Sequence, residues 1–144
     1  MKNEIHELFT TMMQIKQAMH SMSSLSPEDR NATMLQHITL SYLATRDNST
    51  MTELAAYLRI SLSSATQLVE RLARNNSVER VNDENDRRLV HLQITRIGKE
   101  ELAEMRKTLE EKMGKIFSAI PAQDLKELVR IQKLIVANLP KEIK

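Results

Sequence analysis

Apolar residues recur at helical spacing along most of this chain, and one stretch breaks the rhythm. Ile5, Leu8, Met12, Ile15 and Met19 step by three and four residues, with Phe9 and Met13 widening the stripe. Residues 2 to about 20 therefore predict a first helix with one apolar face. A linker follows over residues 21–29. Within it Ser26, Pro27 and Asp29 are placed to open a second helix as cap, first position and acidic first turn. That helix should run to about Thr45, with Met34, Leu35, Ile38, Tyr42 and Leu43 inward. Arg46-Asp47-Asn48-Ser49 reads as a polar turn. Thr50 and Glu53 have the spacing of a capping box, so a third helix should start there and bury Leu54, Ala55 and Leu58. Ile60-Ser61 is a tight turn, and Ser61 is a good cap for a fourth helix to about Asn75. Its expected inner face is Leu62, Ala65, Leu68, Val69 and Leu72.

The rhythm changes at Val78. Residues 78–81 and 89–94 alternate apolar and polar positions over much of their length, as half-buried strands do. Between them lies Asn82-Asp83-Glu84-Asn85-Asp86-Arg87-Arg88, a turn-prone run whose Asn and Asp side chains can bond their own backbone. Helical spacing then resumes. Thr95 should cap a long helix to about Ala119, with Leu102, Met105, Leu109, Met113, Ile116 and Ile120 as its stripe. Its other side carries Glu100, Glu104, Lys107, Glu111 and Lys115, several spaced for ion pairs one turn apart. Pro121 ends it. A last helix to about Asn138 would turn Leu125, Leu128, Ile131, Leu134, Ile135 and Leu139 inward. The predicted class is mainly α with a small β-hairpin wing: a winged helix-turn-helix over residues 30–95, flanked by helices at 1–28 and 96–144. A winged helix is compact by itself, so these outer amphipathic helices need a partner surface of their own.

The fourth helix has a polar side that suits a groove of duplex DNA. Ser63, Ser64 and Gln67 are hydrogen-bonding residues near its N-terminus, Arg71 and Arg74 lie further along, and Thr66 and Glu70 are at the edge; Thr66 and the cap Ser61 join the candidates for DNA contact. Such residues can meet base edges in the major groove, while arginines reach guanine edges or phosphates. Taken alone, this face is what any exposed helix shows. The hairpin directly behind it makes it specific. Arg87 and Arg88 project near the tip, where an arginine suits the narrow, electronegative minor groove. Asp86 is placed to hold Arg88 extended by a charge-assisted bond. Thr52, Arg74 and Arg80 are the candidates for phosphate contacts.

Composition changes the picture mostly by exclusion. The chain of 144 residues has no cysteine, two glycines and 3% aromatic residues. It therefore has no disulfide, thiolate metal site or thiol redox switch, and its core must be packed by Leu, Ile and Met. Neither a run long enough to cross a membrane nor an apolar signal core is visible, so the expected location is the cytoplasm. Net charge is only +2. Its distribution says more: from Arg59 to Arg96 there are seven arginines and no lysine against five acids. Affinity for a polyanion should then depend on placed contacts more than on bulk field. His6, His20, His37 and His91 form no metal-ligand spacing, and His91 reads as a surface residue of the wing. No phosphate-binding glycine loop or seryl nucleophile motif is present. Neither a catalytic residue, a cofactor nor a metal is expected, and the chain should not be an enzyme.

The stretch from Met51 to Gly98 resembles the MarR family of bacterial transcription regulators. The pieces that carry the likeness are Met51-Thr52-Glu53-Leu54-Ala55, Ser63 to Leu72, Val78-Glu79-Arg80, and above all Asp86-x-Arg88 followed by Leu92, Thr95 and Gly98. The flanking helices also fit, so the likeness covers nearly the whole chain as one MarR-like domain, 1–144. The departures are Asn76 and Ser77, where the family commonly has glycine and an apolar residue, and Ile94 in place of leucine. Asn76 tolerates the left-handed conformation needed there; Ser77 should leave a little less core under the wing. The resemblance implies a homodimer joined through the terminal helices, bound to double-stranded DNA at a pseudo-palindromic operator, most often as a repressor. It also implies a small-molecule effector, often aromatic or phenolic, in a pocket between dimer lobe and DNA lobe. Phe9, Met13, Tyr42 and Met105 are the candidates to line it, although methionines at such positions more often fill core gaps. The competing reading is a winged helix used for protein contact, which would want an exposed apolar patch on the fourth helix.

Overall fold

The computed structural model describes residues 1–46 and 48–140. Among these described residues six helices and three short strands follow one another as α1 (Lys2–Ser21), α2 (Pro27–Ala44), β1 (Ser49–Thr50), α3 (Met51–Leu58), α4 (Leu62–Arg74), β2 (Val78–Asn82), β3 (Val90–Ile94), α5 (Arg96–Phe117) and α6 (Ala122–Ala137). The fold is mainly α-helical with a small antiparallel wing, as the pattern predicts. Asp47, in the expected polar turn, and residues 141–144 lie outside the described residues.

The helix starts are set by side-chain caps. Ser26 accepts from the Asp29 N–H at 3.1 Å, with Pro27 at the first helical position. Thr50 and Glu53 form the full capping box: Thr50 Oγ1 accepts from the Glu53 N–H at 3.2 Å, and Glu53 Oε2 accepts from the Thr50 N–H at 2.8 Å. Ser61 Oγ takes the Ser64 N–H at 3.0 Å, and Thr95 Oγ1 takes the Gly98 N–H at 3.0 Å. Helix ends use the left-handed region without glycine: Arg59 closes α3 at φ 54° and Asn76 follows α4 at φ 58°. Both residues carry a Cβ there, which makes the bend costlier than glycine would.

The chain divides into two compact units. The larger runs from His20 to Leu109. Its core is Leu40, Tyr42, Leu43, Leu54, Leu68, Val69, Leu72, Val78, Leu92 and Leu102, with Leu35, Met51, Leu58, Ile60, Ile94 and Met105 packed around them. Each fully buried leucine stabilises this unit by about 1.5–3 kcal/mol relative to exposure. In this unit Leu62 and Met34, expected inside, are outside, 53% and 64% exposed; Leu128, Ile131, Leu134 and Ile135 of the last helix, beyond this unit, are exposed too. Leu62 occupies the first position of α4, where the helix has only just left the turn, and Met34 precedes the part of α2 that enters the core.

The sheet has the order β1-β3-β2, antiparallel throughout. β1 is an element that the sequence reading took for a turn; Ser49 pairs with Leu92 and Thr50 with His91. Its two residues are too few to show an alternation. β2 runs one residue further than expected, to Asn82, and β3 starts one residue later, at Val90, so that Asn82 faces Val90 across the hairpin.

Ser77 adds nothing to the apolar core under the wing, but it is not left idle. It is fully buried, and its hydroxyl donates to Glu101 Oε2 at 2.8 Å. Its carbonyl accepts from the Thr95 N–H at 3.1 Å, and its own N–H donates to the Leu72 carbonyl at 2.9 Å. The start of α5 presses on the same point. A Cβ on Gly98 would stand 2.1 Å from the Ser77 carbonyl oxygen and 2.8 Å from Ile94 Cγ1.

The second unit comprises Met1–Met19 and the described residues from Glu110 onward. No residue of α1 or α6 is buried. Ile5, Leu8, Phe9 and Met12 on α1, and Ile131, Leu134 and Ile135 on α6, are exposed hydrophobic side chains.

Candidate nucleic-acid interface

The fourth helix lays out its polar side as its spacing predicts. Ala65, Leu68, Val69 and Leu72 are buried, while Ser63, Ser64, Gln67, Arg71 and Arg74 are exposed. Thr66 is half-buried and folds its hydroxyl back onto the Leu62 carbonyl at 2.8 Å, so its methyl is the part left to face outward. Ser61 is the cap, and its hydroxyl also donates to Ser64 Oγ at 2.9 Å. The first turn of α4 is thus slim: serines, a threonine and the exposed Leu62. Sequence reasoning missed Leu62 as a surface residue because its apolar character and spacing match the buried set.

Thr52 is exposed in the first turn of α3, and Arg80 is exposed on β2. Arg74 and Arg80, separate in sequence, come together with Glu70 and Ala73 around a hollow of about 440 Å³. Among the described residues, none of Arg71, Arg74, Arg80, Arg87 and Arg88 belongs to an ion pair. Their guanidinium groups are therefore open to an external anion, and arginine's planar fork suits phosphate and base edges.

The wing tip is built from its own acids. Asp83 Oδ1 accepts from the backbone N–H of Asn85 at 2.8 Å and of Asp86 at 2.9 Å. Asp83 Oδ2 lies 2.9 Å from His91 Nε2. The bond from His91, then those from the two amides, hold the Asp83 carboxyl below the ordinary aspartate range. Contrary to the expectation, Asp86 does not hold the Arg88 guanidinium. Its Oδ1 accepts from the Arg88 backbone N–H at 3.0 Å, so it shapes the turn and leaves the charged end of Arg88 outward. Nor is His91 a plain surface residue, since its side chain is 14% exposed. An isolated histidine on an alternating strand gives no hint of this; the signal was Asp83, just across the hairpin.

Asn48, at φ 59°, leads into β1. Its Oδ1 accepts from Gln93 Nε2 at 2.8 Å, which braces β1 against β3. Of the pocket candidates, Tyr42 and Met105 belong to the larger unit, and Phe9 and Met13 to the other. The Tyr42 ring is engaged locally. It stacks on Tyr57 at 4.4 Å between centroids, with the Arg46 guanidinium 4.6 Å above it. These residues, with Asn48, Ser49, Glu53 and Ala56, line a groove of about 610 Å³. Met105 lies half-buried against the core. Among the described residues no group of three or more His, Asp and Glu side chains is placed to hold a metal ion, and no helix is long and apolar enough to cross a membrane.

Comparison with known proteins gives a consistent set of likenesses. A model of the MarR family matches residues 31–89. Over 87 residues the chain is 30% identical to the transcriptional repressor MprA of Escherichia coli K12, a match that covers 60% of this chain and 49% of MprA. The chain thus spans about half the length of that curated relative. A MarR transcriptional regulator from Methanosarcina mazei is similar in structure, with a TM-score of 0.60, 25% identity and coverage of 72% of this chain and 75% of that one. FabT of Streptococcus pneumoniae, solved in complex with DNA, matches with a TM-score of 0.64 and 18% identity over 100% of both chains. At that identity the likeness concerns the fold.

Proposed function

Because the chain belongs to the MarR family of winged helix-turn-helix regulators, we propose that it works as a homodimeric, sequence-specific DNA-binding repressor in the cytoplasm, and not as an enzyme. The observation that carries this reading is the coincidence of a slim polar face on α4 with unpaired arginines on the wing behind it. In each subunit Ser63, Ser64, Gln67 and Arg71 enter a major groove, with Ser61 and Thr66 at the edge. Leu62 offers an apolar contact of the kind that suits a thymine methyl. Arg88, with Arg87, enters the neighbouring minor groove, while Asp86 shapes the turn beneath them. Thr52, Arg74 and Arg80 hold phosphates.

Two recognition helices about 34 Å apart read successive major grooves, which requires a second copy. The helices proposed to supply that contact are 1–28 and 96–144, whose apolar side chains on α1 and α6 are exposed in the single chain. A small aromatic effector would act by favouring one dimer spacing over another, a shift between DNA-competent and incompetent populations. Tyr42 and Met105 are the part of the proposed lining that the larger unit carries, with Tyr42 needing to leave or share its stack on Tyr57. FabT, of like fold, is the protein crystallised with DNA. The alternative of a protein-contact module is disfavoured by α4 itself: its exposed residues include Ser63, Ser64, Gln67, Arg71 and Arg74, with Leu62 its one exposed large apolar side chain.

The test is selection of duplexes from random sequence, followed by fluorescence anisotropy at two salt concentrations. The expected result is a two-fold-related consensus, and Arg88→Ala weakening binding by about 1–3 kcal/mol. Selection that yields no consensus, or an Arg88→Ala variant that binds as the parent does, refutes the reading.

A further inference from the structure

The wing would carry its arginines into a groove only if its tip holds one shape, and no glycine or proline stands in residues 82–88 to impose one. We infer that Asp83 and His91 are the residues that position Arg87 and Arg88, by folding the tip around a single carboxylate clamped from the opposite strand. This deepens the proposed DNA-binding role and rests on it for the purpose of the arginines, though not for the shape of the tip.

The bonds form a chain from strand to arginine. His91 stands on β3 opposite Val81 of β2. Its Nε2 is 2.9 Å from Asp83 Oδ2. An ionised carboxylate only accepts, so Nε2 carries the hydrogen. This fixes the ring's orientation and leaves Nδ1, which is buried without a partner among the described residues. The other oxygen of Asp83 gathers the N–H groups of Asn85 and Asp86. Asp86 then uses its own Oδ1 for the Arg88 N–H. The backbone closes the turn on both sides: the Asp83 N–H donates to the Leu89 carbonyl, and the Leu89 N–H to the Asp86 carbonyl, each at 2.9 Å. The N–H groups of residues 83, 85, 86, 88 and 89 are therefore all engaged. That fixes the direction in which the side chains of Arg87 and Arg88 leave the backbone.

Two consequences bear on DNA contact. A tip already in shape loses less freedom on binding than a mobile one. A carboxylate engaged by an imidazole and two amides also presents less bare negative charge to a phosphate backbone than one left in solvent. Of the acids at the tip, Asp83 and Asp86 are both turned to backbone amides, and Glu84 is exposed. The sequence marks every Asn and Asp of this run as able to bond the backbone; which amides each one takes shows only in the fold.

The experiment uses the full chain and four variants: Asp83→Ala, Asp83→Asn, His91→Leu and His91→Gln. Glutamine can place its amide nitrogen near the position of the imidazole Nε2 and donate to Asp83. Two quantities are read: hydrogen exchange at the Asn85 and Asp86 amides, and affinity for a duplex selected by the parent chain. Asp83→Ala and His91→Leu should speed exchange at those amides roughly tenfold or more and weaken duplex binding by a like factor, about the net worth of one hydrogen bond. Asp83→Asn keeps an acceptor for the amides and should fall between. His91→Gln should recover most of both losses, a rescue that mere filling of space by leucine cannot give. Parental exchange in Asp83→Ala, or loss in His91→Gln as large as in His91→Leu, overturns the assignment. A loosened tip that still binds the duplex as tightly as the parent overturns it too. If the parent selects no duplex, the regulatory reading fails, while the exchange measurement still decides whether these two residues shape the tip.

Discussion

Asp83 links the sequence of the wing to its behaviour in acid. Its carboxyl is held below the ordinary aspartate value by His91 first and then by two backbone amides. A group whose folded pKa is depressed binds its proton more readily when the chain unfolds. Its contribution to stability is therefore full above the unfolded value, about 3.9, and is lost as pH falls through the lower, folded value. Thermal melts of the parent and Asp83→Asn between neutral pH and about pH 3 should show a gap that is constant down to roughly pH 5 and narrows below pH 4. A gap that persists unchanged into acid would show that the carboxylate's charge is irrelevant. Single residues were also where reading the sequence failed. Residue type alone misplaces Leu62, Met34 and His91, and says nothing of the bond that buries Ser77. Leu62 lies too early in its helix to reach the core, and Ser77 is buried because Glu101 offers its hydroxyl a partner. Periodicity cannot express a partner that lies 24 residues away.

Elements were far more legible, because their ends carry chemistry of short range. Ser26, Thr50, Ser61 and Thr95 each cap the helix they were expected to cap. Removing the Thr50 hydroxyl with Thr50→Ala should cost about 0.5–2 kcal/mol, measured by urea unfolding, since it opens the capping box of α3; an unchanged midpoint would mean that Glu53 alone suffices. β1 was not legible, since its two residues become a strand only through β3. The joint where α4, β2 and α5 converge shows the same dependence on distant parts. Gly98 packs so closely on Ser77 that Gly98→Ala should destabilise the chain by about 1–3 kcal/mol or more through overpacking. Melting of this variant within a degree of the parent would show that α5 can step aside. The candidate interface followed the same rule: the polar face of α4 was readable from its period, whereas the hollow shared by Arg74 and Arg80 had to be seen in three dimensions.

At the scale of the molecule, one unit carries a core and the other carries faces. Leu40, Leu54, Leu72 and Leu92 are fully enclosed in the larger unit, while α1 and α6 bury nothing in the single chain. Exposed apolar area of that kind is the surface proposed here for association. Leu8→Glu combined with Met12→Glu should turn a dimer into a monomer by sedimentation velocity and abolish tight operator binding, leaving the helical content of the larger unit in place. A double variant that remains dimeric would move the contact elsewhere. Those uncovered faces also bear on dosage. A site filled only by paired copies is occupied, while pairing is weak, in proportion to the square of the amount of chain. Halving the supply would then cut occupancy about fourfold, and for the dimeric repressor proposed above a modest drop in expression would act as a sharp release of the genes downstream.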